Sequence, residues 1–280
     1  MNKLLLVDGH NLLFQMFYGM PARIIGKDGV AVQGVVGFVG ALLKIIRMTS
    51  PTHLCVIFDS EHENPRTAIN PDYKANRPDY STLSDEENPF TQLPYIYAAL
   101  DELKIKHTET CDCETDDIIA AYAINTSEDT EVVISSFDSD FFQLISDRVS
   151  VLRYRGEKSV ICDSEYIKDT LGITPSQYAD FKSLVGDSAD NIKGAEKIGP
   201  KTAARLLSEL GDLEGVINMS HAISKPSVRE SVIKNTERIR DNFKMIKLSA
   251  SANLPFTPCE LEYRQSDRSS TDVLRCIGVF

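Results

Sequence analysis

Nine carboxylates lie in five short clusters along this chain of 280 residues, and their spacing indicates a metal-binding site. They are Asp8; Asp59; Glu114, Asp116 and Asp117; Asp138 and Asp140; and Asp187 and Asp190. Acids packed closely together repel one another strongly unless cations lie among them. A site made only of oxygen ligands suits hard ions such as Mg²⁺ or Mn²⁺.

Three of the clusters follow apolar runs that predict buried strands, at residues 4–7, 56–58 and 132–134. Strands that are apolar on both faces are typical of parallel sheets covered by helices. In such sheets ligands bind outside the carboxyl ends of the strands. We therefore expect acids from distant parts of the sequence to meet at one edge of the sheet.

The first 170 residues alternate strand and helix patterns, which predicts an α/β fold with a mainly parallel central sheet flanked by helices. Between about 61 and 94 prolines and charges interrupt this alternation. Such a long irregular connection indicates either a functional insertion above the acidic edge or a surface loop. Helical patterns dominate afterwards, so we expect a core at 1–170 and a helical region at 171–280.

A second candidate binding segment carries positive charge. Ile198-Gly199-Pro200-Lys201 predicts a glycine turn that leads into a helix, where free backbone N–H groups bind phosphate. Lys193, Lys197 and Arg205 lie close by in the sequence and favour the same interpretation. The alternative is a basic helix face that only contacts water.

The net charge of −11 would argue against a nucleic-acid ligand, but the nine clustered acids account for most of it. No apolar stretch approaches the length of a membrane span, and the first residues lack the features of a signal peptide. The six cysteines have no framework spacing, which favours free thiols. We expect a cytoplasmic protein without a membrane partner.

Six short sequence motifs resemble those of a known protein family. They are Leu6-Val7-Asp8-Gly9, Phe58-Asp59, Tyr73-Lys74-Ala75-Asn76-Arg77-Pro78, Glu114-Thr115-Asp116-Asp117, Asp138-Ser139-Asp140 and Gly186-Asp187-Ser188-Ala189-Asp190-Asn191-Ile192. Their order resembles the 5′-nuclease family, which comprises flap endonucleases and the 5′→3′ exonuclease domain of bacterial DNA polymerase I. The chain is similar to stand-alone bacterial or phage members. The resemblance implies a PIN-like fold with a helical arch at about 61–94 and a helix-hairpin-helix at about 182–210.

The resemblance also implies roles for individual residues. Asp8, Asp59, Glu114, Asp116 and Asp138 match the ligands around a first metal, and Asp117, Asp140, Asp187 and Asp190 match the second-metal side. Lys74 and Arg77 match catalytic basic residues at the foot of the arch, and Asp138 matches a catalytic carboxylate between the metals. The residues expected to contact DNA are Arg66, Tyr73, Lys74, Arg77, Lys193, Gly194, Lys197, Gly199, Lys201, Thr202 and Arg205.

The implied activity is that of a 5′→3′ exonuclease and flap endonuclease. It would use two Mg²⁺, with Mn²⁺ as a substitute, and act as a monomer on 5′-flap, nicked or single-strand/duplex junction DNA. The family usually has Pro and Gly where this chain has Lys193 and Lys197, next to an expected K⁺ site in the hairpin. Two alternatives stay open: a non-catalytic protein that binds DNA structures, and a related metal-dependent ribonuclease.

Overall fold

A computed structural model describes residues 2–60, 65–111 and 113–280 of the chain. Within these residues six strands form a central sheet in the order β3-β2-β1-β4-β5-β6. The strands are β1 (Asn2–Asp8), β2 (His53–Phe58), β3 (Lys106–Glu109), β4 (Thr130–Ser135), β5 (Val149–Arg153) and β6 (Val160–Cys162). β1 to β5 pair in parallel and β6 pairs antiparallel with β5, which confirms the predicted mainly parallel sheet.

Helices cover both faces of this sheet. In the described parts of the chain they are α1 (Gly9–Gly19), α2 (Gln33–Thr49), α3 (Pro65–Ile69), α4 (Leu93–Glu102), α5 (Thr115–Asn125), α6 (Ser164–Leu171), α7 (Tyr178–Val185), α8 (Pro200–Leu210), α9 (Leu213–Asn218), α10 (Pro226–Lys234), α11 (Thr236–Ile246) and α12 (Ser270–Cys276). A short hairpin, β7 (Gly186–Asp187) and β8 (Ile192–Lys193), connects α7 to α8. None of these helices is long and apolar enough to cross a bilayer.

The burial of β1 explains its unbroken apolar run. Leu4 and Leu6 pack into a core beneath α5 and the C-terminal helices, whereas Leu5 and Val7 pack into a second core beneath α1, α2 and α4. Successive side chains of a strand point to opposite faces, so both faces must be apolar where helices cover both.

The insertion predicted at about 61–94 begins at positions 61–64, which lie outside the described residues. From residue 65 onward it contains α3, a series of turns, and 3₁₀ turns at Tyr80–Thr82 and Pro89–Gln92 before α4 begins. Glu86 of this segment forms an ion pair with Arg23. The described part of the segment ends where α4 begins, at Leu93.

Candidate functional site

The carboxyl ends of the central strands hold the first group of acids, as their positions after apolar runs predicted. Asp8 is the last residue of β1, Asp59 directly follows β2, and Asp138 comes shortly after β4. Asp8 accepts hydrogen bonds from the backbone N–H of Asn11 (3.0 Å) and the hydroxyl of Ser136 (2.9 Å). The parallel register of β1 with β2 and β4 brings these strand ends side by side.

A fourth element adds acids to this edge through the start of α5. The Asp59 carboxylate accepts the backbone N–H of Thr115 at 2.8 Å, which ties the end of β2 to the first turn of α5. Glu114 is the N-cap residue and Asp116 lies in the first turn, where the helix dipole favours negative charge. The structure thus brings carboxylates from β1, β2, β4 and α5 together.

Burial and mutual repulsion raise the pKa values of three of these acids, Asp8, Asp116 and Asp138. Burial, with added repulsion from Asp59 and Asp138, raises the pKa of Asp8 from its ordinary 3.8 to about 7. Burial is also the main cause that raises the pKa of Asp116 and of Asp138, and the charges of Asp138 and Asp8 raise that of Asp116 further. A cation among these oxygens would reverse the shifts, because it favours the charged carboxylates.

Asp140, Asp187 and Asp190 form a second group. One oxygen from each lies within 4.8 Å of the others, whereas the acids of the first group would have to move closer together to share one ion in this way. Oδ1 of Asp140 is buried without a hydrogen-bond partner, and burial followed by repulsion from Asp138 raises the pKa of Asp140 to about 7. An oxygen-only donor set with an orphaned carboxylate oxygen fits a divalent cation.

Lys182 is the residue of this site that the sequence analysis missed. Its ammonium group on α7 forms an ion pair with Asp187 and lies 3.8 Å from Oδ1 of Asp140. Burial opposes its charge, but Tyr178, Asp140 and Asp187 together outweigh burial and raise the pKa of Lys182 above its ordinary value. The sequence feature that could have indicated Lys182 is the presence of a lysine within the mostly apolar run Phe181–Val185, shortly before Asp187.

Arg66 and Asp117 form an ion pair beside the first group of acids. Both terminal nitrogens of Arg66 donate to the two oxygens of Asp117 at 3.0 Å, and Nε donates to the carbonyl of Met245 at 2.8 Å. The backbone N–H of Ser249 also donates to Asp117. The resemblance placed Asp117 on the second-metal side and Arg66 against DNA. In this structure their contacts form a buried link between the insertion, α5 and the end of α11, and the two roles that the resemblance implies stay predictions.

The foot of the insertion, residues 72–77, places basic and aromatic groups against both groups of acids. The ammonium of Lys74 pairs with Glu114, and Arg77 donates to Oδ1 of Asp190 at 3.1 Å. The hydroxyl of Tyr73 lies between Glu114 (3.3 Å) and Asp190 (3.4 Å). Burial would lower the pKa of Lys74, but Glu114 and the other nearby acids outweigh burial and raise it.

Backbone contacts fix this foot on the β7–β8 loop. The N–H of Lys74 donates to the carbonyl of Asp190 (3.1 Å), and the side chain of Asn191 donates to the carbonyl of Asp72 (2.8 Å). Asn76 donates to the carbonyl of Ser188 at 3.0 Å. Lys74 and Asn191 both have positive φ, 56° and 58°, a strained conformation that proteins keep where surrounding contacts hold it.

The segment predicted as a helix-hairpin-helix consists of α7, the β7–β8 hairpin, a tight turn and α8. Gly194 approaches α7 so closely that an added Cβ would lie 2.2 Å from the carbonyl oxygen of Val185. Lys197 adopts φ +66°, so the turn keeps a left-handed conformation although its residue is not glycine. Lys193, Lys197, Lys201 and Arg205 are exposed, Gly199 caps α8, and Thr202 is half-buried.

The raised pKa values predict an unusual pH dependence for the metal-free protein. Asp8 and Asp140 bind protons up to about pH 7 when folded but release them near pH 4 when unfolded. The folded state therefore holds more protons between these values, and stability falls as pH rises through this window. In EDTA we expect Tm to fall by about 5 °C or more between pH 5 and pH 8.

The measurement is a thermal melt at each pH, with and without Mg²⁺. Mg²⁺ should restore Tm at pH 8, because it binds only the folded state, and should have little effect at pH 5. A Tm in EDTA that does not change with pH would show that these acids are not crowded in the way the structure describes.

The chain matches two family models and several known proteins. Residues 3–172 match the family described as 5′-3′ exonuclease, N-terminal resolvase-like domain, and residues 173–269 match 5′-3′ exonuclease, C-terminal SAM fold. The chain is 33% identical over 267 residues to the thermostable DNA polymerase I of Thermus thermophilus. That match covers 95% of this chain but 31% of the polymerase, so the chain spans less than a third of this relative.

Two solved structures share the fold. One is the bacteriophage T5 5′-exonuclease with bound zinc, at a TM-score of 0.73 and 20% identity, over 99% of this chain and 100% of that one. The other is a variant of the bacteriophage T5 flap endonuclease solved with DNA and metal ions, at a TM-score of 0.72 and 21% identity, over 88% and 89% of the two chains. With both family descriptions matched along its length, this chain belongs to the 5′-3′ exonuclease family.

Proposed function

We propose that the protein is a structure-selective 5′ nuclease, a 5′→3′ exonuclease and flap endonuclease that hydrolyses DNA near single-strand/duplex junctions. The observation that carries this proposal is the meeting of two groups of acids with Lys74 and Arg77 at one edge of the sheet. The T5 relative of the same fold was solved with DNA, which supports DNA as the ligand here.

The acids divide between two proposed Mg²⁺ sites. Asp8, Asp59, Glu114, Asp116 and Asp138 would hold the first ion, and Asp117, Asp140, Asp187 and Asp190 would lie on the side of the second. Two divalent ions held this way supply an activated water and neutralise charge on the phosphate. Asp138 interacts electrostatically with Asp116 and Asp140, one from each group, which suits a residue between the two sites. Mn²⁺ offers the same preference for oxygen ligands.

The basic residues of the insertion have a separate role in this proposal. Lys74 and Arg77 contact the acids through ion pairs, so each can transfer its donors to an anionic phosphate that enters the site. Such fixed donors stabilise charge that develops in the transition state. Tyr73 and Arg66, which lie beside them, are proposed to contact the DNA, while the ion pair of Arg66 with Asp117 anchors the insertion to α5.

Duplex DNA is proposed to lie along the basic turn before α8, where Lys193, Gly194, Lys197, Gly199, Lys201, Thr202 and Arg205 are found. Their contacts would be with backbone phosphates and would carry no sequence information. The left-handed backbone at Lys197 keeps a tight turn before α8, which supports a proposed K⁺ site there. Replacing K⁺ by a bulky organic cation at constant ionic strength should weaken duplex binding if that ion takes part.

Lys201→Gln provides a test of the duplex-binding role. The side chain is exposed in the first turn of α8, so its loss should leave folding unchanged but remove one phosphate contact. We expect weaker binding to all duplex sequences and a decrease of about one in the slope of log affinity against log salt. Lys168→Gln, an exposed lysine on α6, is the matched control. If Lys201→Gln and wild-type protein show the same slope of log affinity against log salt, Lys201 does not contact the duplex.

One set of cleavage assays separates the proposed activity from the alternatives. Labelled 5′-flap, nicked duplex and single-stranded substrates are incubated with Mg²⁺ or EDTA, together with an RNA version of the flap. Metal-dependent release of 5′ fragments from the DNA flap supports the nuclease. Tight flap binding without cleavage would favour a non-catalytic structure-binding protein, and preferential cutting of the RNA flap would favour a ribonuclease.

A further inference from the structure

The three acids that lie close enough to share the second metal ion already lie beside cations of the protein itself. The ammonium group of Lys182 forms an ion pair with Asp187 and lies 3.8 Å from Oδ1 of Asp140. The guanidinium group of Arg77 donates to Oδ1 of Asp190 at 3.1 Å. A divalent ion that binds these carboxylates therefore meets positive charge that the chain supplies.

Lys182 and Arg77 differ in how firmly the structure holds them. The side chain of Arg77 is 52% exposed, whereas that of Lys182 is 13% exposed. Arg77 can therefore turn into solvent or onto a substrate when an ion arrives. Lys182 lies in the last turn of α7, where the helix dipole favours positive charge, and a buried ammonium that leaves its carboxylates loses its partners. Lys182 is thus the cation that stays beside the acids.

Hydrogen bonds fix the end of α7 that carries Lys182. The buried side chain of Asn242, on α11, donates to the carbonyl of Ser183 at 3.0 Å and to the carbonyl of Lys193 at 2.9 Å. These bonds join α11 to the last turn of α7 and to β8. The backbone of Lys182 cannot withdraw from the acids without breaking this buried link.

The lysine neutralises the acids without saturating them. Oδ1 of Asp140 is buried and has no hydrogen-bond partner among the described residues, because 3.8 Å to the ammonium nitrogen is too long for a hydrogen bond. A lysine is charged at neutral pH, so Lys182 cancels one of the three negative charges that the acids carry around a divalent ion. An ion in this site keeps its oxygen ligands but is attracted less strongly.

We propose that Lys182 is an internal counter-ion of the second metal site, and that its charge lowers the affinity of this site for a divalent ion. The inference rests on the proposed two-metal nuclease and names the residue that sets its metal requirement. Because the lysine weakens binding of the second ion, occupancy of this site follows the concentration of free Mg²⁺, and the rate of cleavage follows it as well. Lys182 acts on the reaction only through the ion.

Calorimetric titration of the full chain with Mn²⁺ at pH 8 tests this proposal, because Mn²⁺ shares the preference of Mg²⁺ for oxygen ligands. Asp140→Asn removes a carboxylate of the second site, so the binding event that this variant loses is the one that belongs to that site. Lys182→Met has a side chain of similar length without the charge. We expect it to bind the second ion about tenfold more tightly than wild-type protein does, the equivalent of about 1.4 kcal/mol.

The direction of the change separates a counter-ion from a structural contact. Loss of a purely structural residue disturbs the ligands and weakens metal binding, whereas loss of the counter-ion tightens it. Lys182→Gln removes the charge but keeps a donor for Asp187, and it should tighten binding in the same way, so the test does not depend on the folding of one variant. Lys182→Arg keeps a cation and should stay within a few-fold of wild type. Lys168→Met, which replaces an exposed lysine on α6, should bind both ions as wild-type protein does.

A second readout is the Mg²⁺ concentration that gives half of the maximal rate of flap cleavage, which should fall by a similar factor in Lys182→Met. The role of Lys182 is overturned if Asp140→Asn loses a binding event that both uncharged variants keep at wild-type or weaker affinity. If Asp140→Asn loses no binding event, the second metal site itself is rejected, and both the two-metal proposal and the role of Lys182 are rejected with it.

Discussion

Asp138→Asn is expected to reduce cleavage of a 5′-flap substrate by about 10³-fold or more, because metal stabilisation of the transition state contributes several kcal/mol and each 1.36 kcal/mol is a factor of ten. Asparagine preserves the shape of the side chain and its acceptor for the N–H of Asp140, which lies at 2.8 Å. It removes the negative charge that the two proposed metal sites share.

The folded structure should survive this change. Burial raises the pKa of Asp138, so its charge is a destabilising feature of the metal-free protein, and the neutral amide relieves it. Flap binding in EDTA should therefore stay within a few-fold of wild type. Single-turnover cleavage and binding are measured side by side, with the exposed Asp147→Asn as the charge-matched control. Cleavage at the wild-type rate would reject the assignment of Asp138.

Lys74→Met is expected to lower the single-turnover rate by about 10²–10³-fold, the usual cost of removing one fixed donor from a transition state. Methionine has a similar length and no charge. Glu114 would keep its bonds to Arg66 and Tyr73, so loss of the lysine should not leave a buried carboxylate unpaired. Any L-residue with a Cβ meets the same backbone strain at φ +56°, which makes this a clean test of charge.

The decisive measurement separates the rate from the affinity. Flap affinity should change by only a few-fold, because most phosphate contacts in the proposal lie at the turn before α8. Lys74→Arg should recover part of the rate, since it restores a cation with a different shape. Lys104→Met, an exposed lysine that also has positive φ, is the matched control. If Lys74→Met cleaves at the wild-type rate, Lys74 has no catalytic role and only contacts Glu114 structurally.

Local pattern was sufficient for the main elements of the core. The apolar runs before Asp8, Asp59 and Asp138 predicted buried parallel strands, and β1, β2 and β4 are observed there. Local pattern does not record the break between α10 and α11, where the side chain of Asn235 donates to Glu196 and to the carbonyl of Ser231. Helix α12 is too short for its few periodic positions to give a clear pattern.

Residue type and order by themselves determined that acids collect at one sheet edge, because parallel strands end on the same side and their alternation sets which residues are buried. Only the tertiary structure decided what each charged group contacts. Arg66 takes both oxygens of Asp117, Lys182 enters the second acid group, and the foot of the insertion binds the β7–β8 loop. Such pairings join residues far apart in the chain. A buried charge without a partner carries a large desolvation cost, so the fold keeps the arrangement in which each charge is paired, and no local pattern records that arrangement.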